Sequence, residues 1–360
     1  MNLKDKNLYY IGGVVRDELL GKESFDIDLT YDGDAIEFAK NIKDAQILRI
    51  NEPFGTVKIR YQGEDIDIAS TRSEIYPQKG HLPVVEKIGC SLKEDVMRRD
   101  FTINAMAKST LTGEIIDYTG GLEDIKNKTL RVLHDNSFID DPTRIVRALK
   151  FSVRFGFELE DHTKQLQDSY LANINYDMSY KRLQKELKET FELNSWEAYE
   201  KFVNQKIYKL LGEQNFEIPQ YDFSELIEKY KPENIWIIYI GLLPQISNLP
   251  LTKEETKIVE SYKMILLDNS AGDFDIYKAF INLPLESVIM YSVKNSKQVE
   301  KFLSELKNIK LNITGEDLKN IGIAPSAKYQ ECFDYILKKK IQDSNMGIED
   351  EISLAKDFFA

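Results

Sequence analysis

Gly12-Gly13-Val14-Val15-Arg16-Asp17, followed about a dozen residues later by Asp26-Ile27-Asp28, is the stretch whose reading decides the fold. Leu8-Tyr9-Tyr10-Ile11 before it reads as a short buried strand, and Val14 to Leu20 as a helix closed by Gly21. The glycine pair therefore falls at a strand-to-helix turn, where backbone N–H groups face an anion and Arg16 sits one turn in. Gly12, Gly13 and Arg16 are the candidate triphosphate cradle. Alternate residues of a strand share a face, so Asp26 and Asp28 can present both carboxylates to one site, an arrangement suited to two metal ions.

A hard cation such as Mg²⁺ is usually held by one or two carboxylates together with substrate phosphates. In Asp65-Ile66-Asp67-Ile68 the isoleucines alternate with the acids as a buried face, which makes Asp67 the candidate third ligand. An Asp-x-Asp pair on a strand edge can also merely solvate it; the glycine-rich context points instead to a catalytic role for Asp26, Asp28 and Asp67, with Asp26 and Asp28 on the metal.

Short strand-like runs separated by Gly, Asp and Pro fill the chain to about residue 125, and from about residue 140 the pattern is helical. Ile145, Ala148, Leu149 and Ser152 share one helix face, with Arg144, Arg147 and Arg154 along another. The expected organisation is an α/β head over 1–127, a helical neck over 128–195, and a helical body and tail over 196–360. The run Ile235 to Leu243 is about half the ~20 residues a membrane span needs, so a buried helix is expected.

The 360-residue chain is 42% apolar, ample for packed cores, and its net charge of −12 argues against wholesale coating of nucleic acid but not against a local basic groove. Cys90 and Cys332 form no motif and fit a reducing cytoplasm, and the first residues run straight into a strand, with no room for a signal peptide.

Two further stretches carry chemistry. In Arg98-Arg99-Asp100, Arg99 could bind phosphate and Asp100 a sugar hydroxyl, or the two could form a surface ion pair at a helix start. In Asp140-Asp141-Pro142-Thr143-Arg144-Ile145-Val146-Arg147, Asp141 before Pro142 looks like a helix N-cap. The alternative is base reading. Cytosine and adenine both place an amino donor beside a ring-nitrogen acceptor, which one Asp and one Arg at i, i+3 could recognise while rejecting uracil and guanine. Both roles can coexist, because a carboxylate has two oxygens.

These pieces, with Phe101-Thr102-Ile103-Asn104-Ala105 and Asp117-Tyr118-Thr119-Gly120-Gly121, occur in an order that resembles the class II tRNA nucleotidyltransferases, the bacterial CCA-adding enzymes and their poly(A) polymerase relatives. The resemblance implies a polymerase-β-like head followed by an all-α neck, body and tail, adding CCA to the tRNA 3′ end from CTP and ATP with Mg²⁺. A-only, CC-only and poly(A)-adding enzymes share the scaffold. It also implies Gly13 and Arg16 on the triphosphate, Arg99 and Asp100 at the nucleotide, and Asp141 and Arg144 as an amino-acid template, with Arg147 and Lys150 beside them.

Residues 73–83 look like the family's flexible loop, and Thr314 to Pro325 is similar to its tRNA-holding tail segment. Lys150 stands where several members carry Arg, and cannot bind bidentately. Lys338-Lys339-Lys340 could meet RNA phosphates or form a solvated helix end. His134-Asp135 lacks the further ligands that a metal-dependent phosphohydrolase site would require.

Overall fold

The computed structural model describes residues 3–23, 27–174 and 177–360. The chain forms two compact units, residues 1–216 with 245–250, and residues 217–244 with 251–360. The expected head and neck both fall within the first unit, and the division comes about twenty residues after the expected end of the neck.

The first unit begins with β1 (Leu8–Ile11), α1 (Gly13–Leu19), β2 (Asp28–Tyr31) and α2 (Ala35–Lys40). Three further strands follow: β3 (Gln46–Asn51), β4 (Thr56–Tyr61) and β5 (Glu64–Ser70). The hairpin β6 (Arg72–Ile75) and β7 (Val84–Ile88) leads to α3 (Leu92–Met97). Strands β8 (Met106–Ser109) and β9 (Ile115–Asp117) and helix α4 (Gly121–Lys126) complete the head.

Seven strands make one mixed sheet in the order β3-β4-β5-β2-β1-β8-β9, with β2 and β5 parallel. Leu8, Leu29, Ile59, Ile66 and Ile68 are buried on it with Ala35 and Ala39 of α2, while Asp65 and Asp67 alternate to the exposed face, as the period-two pattern predicts.

The helical part of this unit runs through α5 (Ser137–Asp140), α6 (Thr143–Phe155), α7 (Asp161–Ala172), α8 (Tyr180–Phe191) and α9 (Trp196–Asn204). Helix α6 packs against α8 and α9, burying Ile145, Ala148, Leu149 and Ser152. Gly156, in the left-handed region at φ 69°, ends it. Arg144, expected on the polar face with Arg147, is instead buried, because its guanidinium has protein partners on three sides.

The second unit is helical: α10 (Ser224–Tyr230), α11 (Ile235–Ile240), α12 (Lys253–Met264), α13 (Asp273–Phe280), α14 (Leu285–Lys301), α15 (Gly315–Asn320), α16 (Tyr329–Gln342) and α17 (Ile348–Phe359). The apolar run beginning at Ile235 is α11, buried from Trp236 through Ile240. Among the described residues no helix is long and apolar enough to cross a membrane. Cys90 and Cys332 are both buried and unpaired.

Lys340 does not join Lys338 and Lys339 at the surface. Its ammonium is buried against Glu351, whose carboxylate also accepts the backbone N–H groups of Asn312 and Ile313 at 2.7 and 3.0 Å. Removing one partner of a buried pair strands the other charge, so Glu351→Ala should cost about 3 kcal/mol or more of this unit's stability. Urea unfolding followed through Trp236 checks this; an unchanged midpoint contradicts it.

Candidate functional site

A cleft of about 590 Å³ opens in the first unit between the β1–α1 turn, the segment after α3, and helices α6 and α8. Its walls include Gly12, Gly13, Arg16, Asp28, Arg99, Asp100, Arg147 and Lys150.

Gly12 adopts φ 71°, ψ −123° at the start of α1, and a Cβ there would come within 2.9 Å of the Arg99 guanidinium. Only glycine meets both conditions without strain. One turn on, Arg16 is 5% exposed; it donates to Asp17 at 2.8 Å and to the Asn104 side chain at 2.5 Å, and lies 4.5 Å over the Phe155 ring. Burial lowers its pKa and the Asp17 carboxylate opposes the shift.

Asp28 is exposed on the cleft wall, and its Cα registers with that of Asp67 across the parallel β2–β5 pair. Neighbours in register on adjacent strands project from the same face, so Asp28 and Asp67 share one face of the sheet. Asp67 does not line the cleft itself, and its carboxylate is 3.5 Å from Lys58 Nζ. Asp26 lies outside the described residues. Among the described residues no group of three or more His, Cys, Asp or Glu side chains forms a metal site. Two carboxylates on one sheet face nonetheless offer the hard oxygen ligands that suit Mg²⁺, which takes its other ligands from water and phosphate.

The segment after α3 is held by ion pairs. Asp95, fully buried, takes Arg98 and Arg99 at 2.9 and 3.1 Å; burial would raise its pKa, but these two cations bring it below the usual carboxylate range. Asp100 is no surface partner. Its Oδ2 accepts both Nε and Nη2 of Arg147, at 2.8 and 2.6 Å, and its Oδ1 accepts Asn104 Nδ2 and the Phe101 N–H at 3.0 and 2.9 Å. Burial pushes this carboxyl up, and the charge of Arg147 with these hydrogen bonds more than reverses it, to about 2. Arg147 continues to Glu186 at 3.1 Å, and Lys150 joins Glu186 and Glu189 at 2.8 and 2.6 Å.

Asp141 and Arg144 are not on the cleft wall. Asp141 Oδ1 accepts the backbone N–H and hydroxyl of Thr143 at 3.1 and 2.6 Å, which caps the start of α6, and Oδ2 accepts Arg182 Nη2 at 2.5 Å. Arg144 donates to the Ser137 hydroxyl at 2.6 Å, the Tyr76 hydroxyl at 3.2 Å and the Arg98 carbonyl at 3.1 Å. The cap that the sequence allowed is present, with Arg182 on the other oxygen.

Several residues with no part in the sequence reading belong to this site. Glu189 and Phe151 line the cleft, and Glu186 and Arg182 grip its cations and Asp141. Local spacing carries no sign of partners about 40 residues away in the chain.

Residues 8–131 match the model of the Poly A polymerase head domain. An A-adding tRNA nucleotidyltransferase of Halalkalibacterium halodurans is 29% identical over 98% of this chain and 89% of its own. Over nearly its whole length the chain is thus similar to tRNA nucleotidyltransferases of this type. An A-adding member from Geobacter sulfurreducens is 31% identical over 97% of this chain, which spans 44% of that longer relative. The solved structure of the Thermotoga maritima CCA-adding enzyme complexed with tRNA superposes with a TM-score of 0.78 at 25% identity, over 98% of this chain and 91% of that one.

The depressed Asp100 pKa is a statement about stability. The stabilisation, about 2 kcal/mol, is fully present above the unfolded-state value of about 4 and is lost as pH falls through the folded value of about 2. Urea midpoints of the wild type and Asp100→Asn should therefore differ most near neutrality and converge between about pH 4 and pH 2. A gap that does not change with pH contradicts the assignment.

Proposed function

We propose that this chain adds CCA to the 3′ end of tRNA from CTP and ATP without a nucleic-acid template, releasing pyrophosphate. The observation that carries the reading is the convergence of Gly12, Gly13, Arg16, Asp28, Arg99, Arg147 and Lys150 on one cleft in a chain similar to these enzymes. The backbone at the start of α1 and the guanidinium of Arg16 bind the triphosphate, with Arg99, Arg147 and Lys150 adding positive charge to the same cleft. Asp28 with Asp67 and Asp26 would hold a divalent cation, which we infer to be Mg²⁺, supplying charge stabilisation at the phosphates and lowering the pKa of the attacking hydroxyl.

Direct displacement by the tRNA 3′-hydroxyl at the α-phosphorus requires no covalent enzyme intermediate. Asp100 holds Arg147 rather than reacting. Asp141 and Arg144, at the start of the helix that also carries Arg147 and Lys150, read the amino and ring-nitrogen positions of C and A. We assign catalysis to residues 1–127, base selection to 128–195 and tRNA binding to 196–360, and place the protein in the cytoplasm, where buried free thiols such as Cys90 and Cys332 persist.

Addition of the terminal A alone is the second reading, favoured by the A-adding relatives at 29 and 31% identity. Offering tRNA without CCA, and tRNA ending in CC, with CTP and ATP separately and together, separates the two by product length. Three added nucleotides on the first substrate support full CCA addition; extension of the CC-ended substrate alone supports the A-only enzyme.

Two variants test the residue roles. Asp28→Ala should abolish incorporation while tRNA retention in gels stays near wild type, and near-normal turnover would sink the metal assignment. Arg144→Ala should admit UTP or GTP at the expense of CTP; unchanged selectivity among the four triphosphates would leave Asp141 a helix cap paired with Arg182, with no part in base reading.

A further inference from the structure

Helix α6 sends three cations into the cleft, Arg147, Lys150 and Arg154, spaced i, i+3 and i+7 along one side. Their charges are matched unevenly. Arg147 pairs with Asp100 and Glu186, and Lys150 with Glu186 and Glu189. Arg154, last in the row and exposed, has no carboxylate at ion-pair distance among the described residues.

Its surroundings are cationic. The Arg154 guanidinium lies 5.2 Å from the Phe155 ring centre, and the same ring takes Arg16 at 4.5 Å and Lys22 Nζ at 4.8 Å. Lys22 also donates to the Arg154 carbonyl at 3.2 Å, which ties the end of α1 to the end of α6. Among the described residues, Arg16 alone of these three cations has an acid at ion-pair distance, Asp17 at 2.7 Å. Burial is the main cause of the lowered Arg16 pKa, and the charge of Arg154 lowers it further.

Like charges gathered around one aromatic ring gain some cation–π attraction but repel one another, and an anion placed between them removes that repulsion. A guanidinium is also suited to bidentate contact with phosphate. We propose that Arg154, with Lys22 beside it, forms a second phosphate-binding position at the Arg16 end of the cleft, which takes the terminal phosphates of the nucleoside triphosphate and then the departing pyrophosphate. This rests on the nucleotidyl-transfer reading of the site. A polyphosphate is favoured over an RNA backbone phosphate because the position shares the Phe155 ring with Arg16, the cation at the glycine turn.

The test is calorimetric binding of inorganic tripolyphosphate, CTP and CMP to the full chain, as wild type, Arg154→Gln and Arg154→Lys, with tRNA retention measured in parallel. Arg154 is exposed, so both substitutions leave the core intact. Arg154→Gln should weaken tripolyphosphate and CTP by about tenfold, Arg154→Lys by less, with CMP and tRNA unchanged. Equal losses for CTP and CMP, no loss for either polyphosphate, or a loss confined to tRNA would overturn the proposal. Wild-type protein that binds tripolyphosphate but not CTP would strike at the nucleotidyl-transfer reading and leave the phosphate position standing.

Discussion

The chain of charge from Asp100 through Arg147 and Glu186 to Lys150 is the constraint on which the site depends. Its members come from the segment after α3, from α6 and from α8, so one set of ion pairs joins the sheet-bearing head to two helices of the same unit. Taking such charges out of water is costly, and the arrangement is tolerable only because nearly every acceptor is used. Asp100 alone takes four donors, two from Arg147. The same pairs that fix the helices also fix where positive charge faces the cleft, so the packing and the electrostatics of the site have one cause.

That construction explains why some of the site was readable in the sequence and some was not. The glycine pair was legible because a strand, a positive-φ turn and a helix start each leave local signatures. The outward faces of Asp65 and Asp67 followed from alternation with Ile66 and Ile68, and the buried α11 from an apolar run, broken at Gly241, too short to span a membrane. Glu186 and Arg182 left no such mark. On α8 they read as ordinary polar positions of an amphipathic helix, and their partners Arg147, Lys150 and Asp141 are brought to them only by the packing of α6 on α8. Arg144 shows the same limit from the other side: spacing put it on a polar face, whereas Ser137, Tyr76 and the Arg98 carbonyl make burial affordable for its charge.

The Asp141 question takes a more definite form. Cap and template were alternatives on the sequence, and the carboxylate has an oxygen for each. Its second oxygen goes to Arg182, and Arg144 reaches the Tyr76 hydroxyl on the segment that joins β6 and β7. Any base-reading role for this pair is therefore tied to α8 and to that hairpin, through contacts that hold both side chains in fixed directions.

A double-mutant cycle on Asp100→Asn and Arg147→Gln, read by urea unfolding at neutral pH, tests most directly whether this ion chain holds the site together. A coupling energy of about 2 kcal/mol or more is the result predicted for a largely buried carboxylate whose Oδ2 takes two donors from one guanidinium. Effects that add to within about 0.5 kcal/mol would contradict it, leaving the head and α6 joined by apolar packing and by contacts such as those of Arg144 and Lys22.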